Sequence, residues 1–271
     1  MRVRLFAKRK GKIMTVKELY DKLNAAVPAS LCADWDNDGL ACLPDASRKA
    51  KKVLVALDIT DNVVKKAVDG GFDAIVAHHP LLFRGIKALT EETGVSRKLL
   101  QLARAGVAAI SLHTRLDAAE GGVNDTLAIL LGLQGVSAFG TDEDGALGRI
   151  GTLPRPVSAR FFADFVREKL GTSAVLFAGD AEKEVRTVAL VGGEGGDFLP
   201  AAVAAGADLF LSGRIGYHRM LDAAEEGLAV IEAGHYVTEA PVCARLVEIL
   251  HDIDPDLEIE VVSSQKIEII C

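Results

Sequence analysis

The chain of 271 residues is 49% hydrophobic and only 5% aromatic, with a net charge of −7. That is enough apolar side chain for a substantial core in one large or two small domains. No apolar run approaches the roughly 20 residues of a membrane span, and no apolar leader precedes a cleavage site, so the cytoplasm is expected. The acid excess makes nucleic acid an unfavourable partner, because nonspecific affinity for it comes mainly from cations meeting phosphates.

Met1 to Lys12 holds six Lys or Arg residues and no acid. Residues 1–13 are expected to be a disordered basic extension, with a polyanion tether or a short organellar presequence as the alternative. Met14 offers a second start, and Thr15 reads as the N-cap of a first helix. Trp35-Asp36-Asn37-Asp38-Gly39-Leu40 reads as a packed loop around a buried tryptophan, with a substrate-loop role as the alternative.

A repeat then emerges. Lys52 to Leu57, a helical stretch and Gly71-Phe72-Asp73-Ala74-Ile75-Val76 are matched by Arg186 to Val191, a helix and Gly206-Ala207-Asp208-Leu209-Phe210-Leu211. Leu102 to Ile110 resembles Ala223 to Ile231. Each copy reads strand, helix, strand, helix, strand, and continuous apolar strands alternating with helices imply parallel sheets covered on both faces. The expected fold is therefore α/β, with duplicated βαβαβ units and mostly parallel sheets. Gly213 and Arg214 fall where the first copy has His78 and His79, so one complete site per chain is expected. Between the copies, strands are expected around Leu147 to Leu153 and Ser173 to Phe177, with a serine-capped helix from Ser158 to Leu170. Gly192-Gly193-Glu194-Gly195-Gly196 offers backbone N–H groups for a phosphate, although the Walker lysine and the Rossmann fingerprint are absent. The four cysteines, Cys32, Cys42, Cys243 and Cys271, show neither CxxC spacing nor a disulfide framework and read as reduced thiols.

Three motifs carry the chemistry: His78-His79-Pro80, His113-Thr114-Arg115-Leu116-Asp117 and His235-Tyr236-Val237-Thr238-Glu239. Each stands at the carboxyl end of an apolar strand, where parallel sheets place their ligands. Imidazole with carboxylate suits Zn, Fe, Mn, Co or Ni, and not calcium. His78, His79, Asp117, His235 and Glu239 would nearly saturate one ion, whereas two ions sharing a bridging Glu239 keep positions open for water and substrate. His113, four residues before Asp117, is placed to orient a ligand or relay a proton and is the candidate catalytic residue. His218 has no assigned role.

Ala77-His78-His79-Pro80-Leu81-Leu82-Phe83, His113-Thr114 with Leu116-Asp117, and Gly234-His235-Tyr236 with Thr238-Glu239 resemble the GTP cyclohydrolase 1 type 2 family, also called the Ngg-interacting-factor-3-like proteins. Trp35-Asp36-Asn37 with Gly39-Leu40, and Gly206-Ala207-Asp208 with Gly213 and Tyr217-His218, follow in the family's order, and the resemblance runs from Met14 to Ile270. It implies one domain over 14–271 made of two intertwined three-layer lobes, about 14–125 plus 226–271 carrying the metals and about 126–225 forming the second. It also implies a dinuclear site on the five named residues, a toroidal homohexamer, and hydrolysis of a purine nucleotide, GTP, by opening of the imidazole ring with release of formate. A non-enzymatic metal-binding scaffold or interaction protein is the alternative. Arg115, Arg214 and Asp38 depart from the family pattern. The two arginines are expected either to tune the pocket for phosphate or to form surface ion pairs.

Overall fold

Two sheets, each sandwiched between helices, divide the chain. The computed structural model describes residues 13–140 and 146–270, so the basic segment Met1 to Lys12 lies outside the described residues. The first part contains α1 (Val16–Ala26), β1 (Gly39–Cys42), β2 (Lys52–Ala56), α2 (Asp61–Asp69), β3 (Ala74–Ala77), α3 (Gly94–Ala105), β4 (Ala108–Ser111), α4 (Thr114–Ala118) and α5 (Val123–Leu130). There follow β5 (Gln134–Phe139), β6 (Gly148–Ser158), α6 (Ala159–Lys169), β7 (Leu176–Ala178), β8 (Glu184–Glu194), α7 (Leu199–Ala204) and β9 (Leu209–Arg214). The chain closes with α8 (Tyr217–Glu225), β10 (Ala229–Glu232), α9 (His235–Glu239), α10 (Val242–Ile253) and β11 (Glu258–Val261).

The first sheet runs β1-β4-β3-β2-β11 and the second β5-β6-β8-β9-β10-β7. Their centres, β4-β3-β2-β11 and β8-β9-β10, are parallel, and the antiparallel pairings involve β1, β5, β6 and β7 toward the edges. Side-chain alternation gives each sheet two apolar faces. Val53 and Val55 join a core with Leu19 and Leu23 of α1 and Leu246 and Leu250 of α10, whereas Leu54 and Ala56 join Val63 and Leu102 of α2 and α3. In the second sheet Val188 and Leu190 pack with Leu127, Phe162 and Val166 of α5 and α6, and Ala189 and Val191 with Ala202 and Met220 of α7 and α8. Burial of each such Val or Leu contributes about 1.5–3 kcal/mol, so both sheets need both layers.

The repeat is visible in the hydrogen bonds. The Asp73 carboxylate accepts from the Lys51 and Lys52 N–H groups at 2.9 and 3.0 Å, and the Asp208 carboxylate accepts from Arg186 and Thr187 at 3.0 and 2.8 Å. In both copies the acid that opens the second strand thus ties down the start of the first. The third strands also match: β4 and β10 each lead, two residues later, into a five-residue helix, α4 and α9. Thr15 caps α1 in a reciprocal capping box with Glu18, and Ser158 caps α6.

One boundary falls elsewhere than expected. β10 lies beside β9 in the second sheet, because its apolar residues continue that core, so the return to the first lobe comes after Glu232 and not near residue 226. The return is made by α10, which packs on α1 and β2, and by β11, parallel to β2.

Candidate metal centre

The five sequence-predicted ligands converge from three places. β3 ends at Ala77, and the frayed backbone after it lets His78 and His79 turn toward common ground, their rings 4.8 Å apart. Asp117 comes from α4. His235 and Glu239, four residues apart, share one face of α9.

Two triads result, with Glu239 common to both. Around one Glu239 oxygen, Oε2, stand His79 Nε2 at 3.0 Å and His235 Nε2 at 3.1 Å, and the two nitrogens are 3.4 Å apart. Around the other, Oε1, stands His78 Nε2 at 3.8 Å, itself 3.6 Å from Asp117 Oδ1. The Nδ1 of His78 donates to the Leu112 carbonyl at 2.9 Å, which leaves Nε2 with its lone pair; that atom is fully buried and has no hydrogen-bond partner. An orphaned imidazole nitrogen beside two carboxylates is costly unless a cation meets it. The donor set fits a borderline divalent metal, and the 3.0–3.4 Å edges of the first triad are those spanned by atoms bound about 2.0–2.2 Å from one such ion.

Without a cation, protons must separate these groups. Burial raises Asp117 to about 7, the Glu239 charge adding to the effect and His78 opposing it. Burial also works to raise Glu239, but the imidazoles of His235, His78 and His79 outweigh it and hold that carboxyl well below its ordinary value. His79 rises to about 10, since its contacts with Asp58 and Glu239 overcome the opposing effect of burial. Hydrogen bonding to Glu239 raises His235 as well, against burial.

Two further acids orient the imidazoles, and sequence reasoning missed both. Asp58, just beyond β2, accepts from His79 Nδ1 at 2.7 Å and from Ser264 Oγ at 2.8 Å. Asp36 accepts from His113 Nδ1 at 2.9 Å, from Thr114 Oγ1 at 2.7 Å and from the Thr114 N–H. Such carboxylate–imidazole pairs fix the tautomer and aim Nε2 away from the acid. The His113 ring stands 5.3 and 5.6 Å from those of His78 and His79, in the same cavity of about 1010 Å³ that Asp117, His235 and Glu239 line. Position after a strand was the available signal for Asp58; Asp36 lay within the Trp35 block, read as a packed loop or a substrate loop and not as a partner for His113.

Four expectations change. The glycine run is not a phosphate cradle: the Gly192 N–H donates to Asn124 Oδ1, that of Gly193 to Thr238 Oγ1 and that of Gly195 to the Arg214 carbonyl. Instead it makes room, since a Cβ on Gly193 (φ +65°) would lie 2.0 Å from Glu239 Oε1. Arg115 neither faces the pocket nor lies on the surface. It is buried, its Nε 2.5 Å from Asp38 Oδ2 and its Nη1 donating to Asn24 Oδ1 and the Val27 carbonyl. Arg115 and Asp38 thus complete each other, and Asp38 Oδ1 also accepts from the His113 N–H at 3.1 Å. Trp35 is 63% exposed at the cavity rim, not buried. Asp117 meets His113 through the backbone, its N–H donating to the His113 carbonyl, while the His113 ring turns to Asp36. Arg214 forms an exposed pair with Glu194, as the surface reading has it, and His218 lies exposed on α8 against Tyr217, away from the cluster.

The fold and the cluster define a class: a duplicated α/β protein whose described residues include His/Asp/Glu groups able to hold metal where its two lobes meet. The Duf34/NIF3 (NGG1p interacting factor 3) profile matches residues 14–268, and the chain belongs to that family. It is 32% identical over 257 residues to a GTP cyclohydrolase 1 type 2 homolog of Clostridium perfringens, covering 93% of this chain and 98% of the other. To the protein NIF3 homolog of Schizosaccharomyces pombe it is 33% identical over 239 residues, covering 82% and 85%. Among solved structures, Staphylococcus aureus protein SA1388 superposes with a TM-score of 0.85 at 25% identity, covering 96% and 100%. Reduced HcgD from Methanocaldococcus jannaschii gives 0.79 at 29%, covering 93% and 98%. No helix among the described residues is long and apolar enough to cross a membrane.

Proposed function

We propose that the protein is a dinuclear metal-dependent hydrolase acting on a nucleotide or another phosphate-bearing small molecule. The observation that carries the reading is the pair of triads sharing Glu239, with the His78 nitrogen left without a partner in the protein. His79, His235 and Glu239 would hold one ion, and His78, Asp117 and Glu239 the other; divalent ions there would supply a water of lowered pKa and would polarise the bond under attack.

The remaining residues handle protons and orientation. His113 donates through Nδ1 to Asp36, so its Nε2 is free to take a proton, and Asp36 stabilises the imidazolium that results. Asp58 holds His79 in the tautomer whose Nε2 faces Glu239. The curated relatives' name favours a purine nucleotide, GTP above others, as substrate. A homohexamer in the cytoplasm belongs to the same proposal, and light scattering of the full chain reads its assembly.

Metal per chain, measured by elemental analysis after dialysis, is expected at two for the wild type and near zero for Glu239→Ala. Nucleotides and phosphate esters are then screened with both proteins, and turnover should vanish with the metal. Two bound ions with no turnover of any nucleotide or ester would overturn the hydrolase and leave a metal-binding protein; equal trace turnover in the variant would overturn it as well.

A further inference from the structure

The cavity holding the cluster carries two features that neither the ligands nor their supporting acids use. One is an aromatic corner. Trp35 and Phe83, 63% and 50% exposed, meet at 6.1 Å with their planes 61° apart, and both stand edge-on to His113 at 6.4 and 6.1 Å with interplanar angles of 81° and 82°. Two large apolar rings thus face water at the rim of a polar site, beside the Asp36-held imidazole. The other is a pair of lysines. Lys98 and Lys266 line the same cavity, and burial lowers the Lys98 ammonium from its ordinary value, the nearby Lys266 adding to the effect. Lys98 is fixed by donating to the Ile59 carbonyl at 2.6 Å, next to the Asp58 that orients His79. Neither lysine has an ion-pair partner among the described residues.

We infer that Trp35 and Phe83 form a stacking subsite for a planar heteroaromatic ring, that Lys98 and Lys266 form an anion subsite for a phosphate on the same molecule, and that the substrate is therefore a heteroaromatic nucleotide. The inference rests on the reading of this cavity as the reacting site and adds the residues that select what enters it. The chemistry follows from the groups. An indole and a phenyl face receive a π-system in a sequence-tolerant way. Two ammonium groups receive an oxyanion that the surrounding carboxylates, Asp58, Asp117 and Glu239, would repel. A ring held on Trp35 and Phe83 lies against His113, which is where a proton would be taken or given. A volume of about 1010 Å³ is at the upper end of small-molecule sites, roughly 300–1,000 Å³, and leaves space for ring, sugar and phosphate together.

The chain's one tryptophan is Trp35, so its emission reads the ring subsite directly. Zinc-loaded full-length protein is titrated with AMP or GMP, with the matching nucleosides and with ribose 5-phosphate, following Trp35 fluorescence and, in parallel, calorimetry. The expected result is saturable quenching by nucleotide and nucleoside, about tenfold weaker for the nucleoside, and none by ribose 5-phosphate. Phe83→Leu should weaken nucleotide and nucleoside alike by about tenfold, whereas Lys98→Gln with Lys266→Gln should weaken the nucleotide alone. Calorimetric binding of nucleotide without any change in Trp35 emission overturns the stacking subsite. Unchanged nucleotide affinity in the double lysine variant overturns the anion subsite and puts the phosphate on the metals. Stacking and lysine effects as stated with no hydrolysis uphold the subsites while the hydrolase fails; hydrolysis of a ring-free phosphate ester with a silent Trp35 does the reverse.

Discussion

At the carboxyl end of β3 the chain carries His78 and His79; at the matching end of β9 it carries Gly213 and Arg214. The backbones of the two copies agree down to the acid that pins each first strand. The difference therefore lies in what the strand end is used for. A Cβ on Gly213 would lie 2.5 Å from the Gly193 carbonyl, 2.6 Å from Thr238 Oγ1 and 2.8 Å from the His235 Cα. The first copy places a histidine pair at its strand end, and the second places a glycine there, over which α9, carrying His235 and Glu239, closes. One site from two copies follows from that division, because the space a side chain at position 213 would need is taken by the Gly193 carbonyl of β8 and by Thr238 and His235 of α9.

Replacing the shared ligand tests this most severely: Glu239→Ala should release both ions, read as metal per chain, whereas loss of only one would mean that the triads are separate sites. Next comes the buried pair confined to the first copy, since the position on α9 matching Arg115 is Tyr236. Arg115→Met strands the Asp38 carboxylate in the core and should cost about 3–5 kcal/mol in urea unfolding, with Asp38→Leu added recovering most of the loss. Gly213→Ala should cost about 1–3 kcal/mol and lower metal content, because two of its three nearest obstacles, the Gly193 carbonyl and the His235 Cα, are backbone atoms; Gly85→Ala, with nothing within 4 Å, is the unaffected control. Asp58→Asn should weaken the His79–His235 triad by roughly 10–100-fold in metal affinity and should also lower the urea midpoint of the metal-free chain at neutral pH, because the Asp58 carboxylate is one of the contacts that hold His79 charged there.

The smallest effect is the pH dependence of the metal-free protein. Asp117 is raised to about 7, so the stability it gives is present at acid pH and lost as pH climbs from its ordinary carboxylate range to about 7. His79 is raised to about 10, so its contribution is full below the ordinary imidazole value and fades as pH rises toward about 10. Urea midpoints with a chelator should therefore fall between about pH 6 and about pH 9, and added zinc should reverse the trend because its ligands must be deprotonated. A chelated protein equally stable at both would show that protons do not stand in for metal.

Much of this was legible in the sequence because strand ends announce themselves. Unbroken apolar runs mark parallel strands, and His78, His79, Asp117, His235 and Glu239 lie within a few residues of where those runs stop. The alignment of the two copies also placed β10 with the second sheet, although the lobe boundary drawn near residue 226 did not. What stayed hidden depends on partners distant in sequence. Asp58 and Asp36 are single acids near strand ends, distinguished only by the imidazoles they meet. A glycine run after a strand is compatible with a phosphate cradle until Asn124 and Thr238 are seen to take its N–H groups. Arg115 reads as a free cation on a helix until Asp38, reached through β1, is found beside it.

The pairing of β11 with β2, and of Ser264 with Asp58, sets a clock on the site. Ser264 Oγ both donates to the Asp58 carboxylate at 2.8 Å and accepts from the Asp58 N–H at 3.1 Å, so the acid that aims His79 is itself held by a residue near the end of the chain. During synthesis β2 and β3 leave the ribosome long before this clasp exists, and His79 waits without its final orientation until β11 has been added. The aim of His79 thus depends on a contact more than 180 residues further along the chain, and cutting the chain before Ser264 should loosen the His79–His235 pair while leaving the His78–Asp117 pair as it stands.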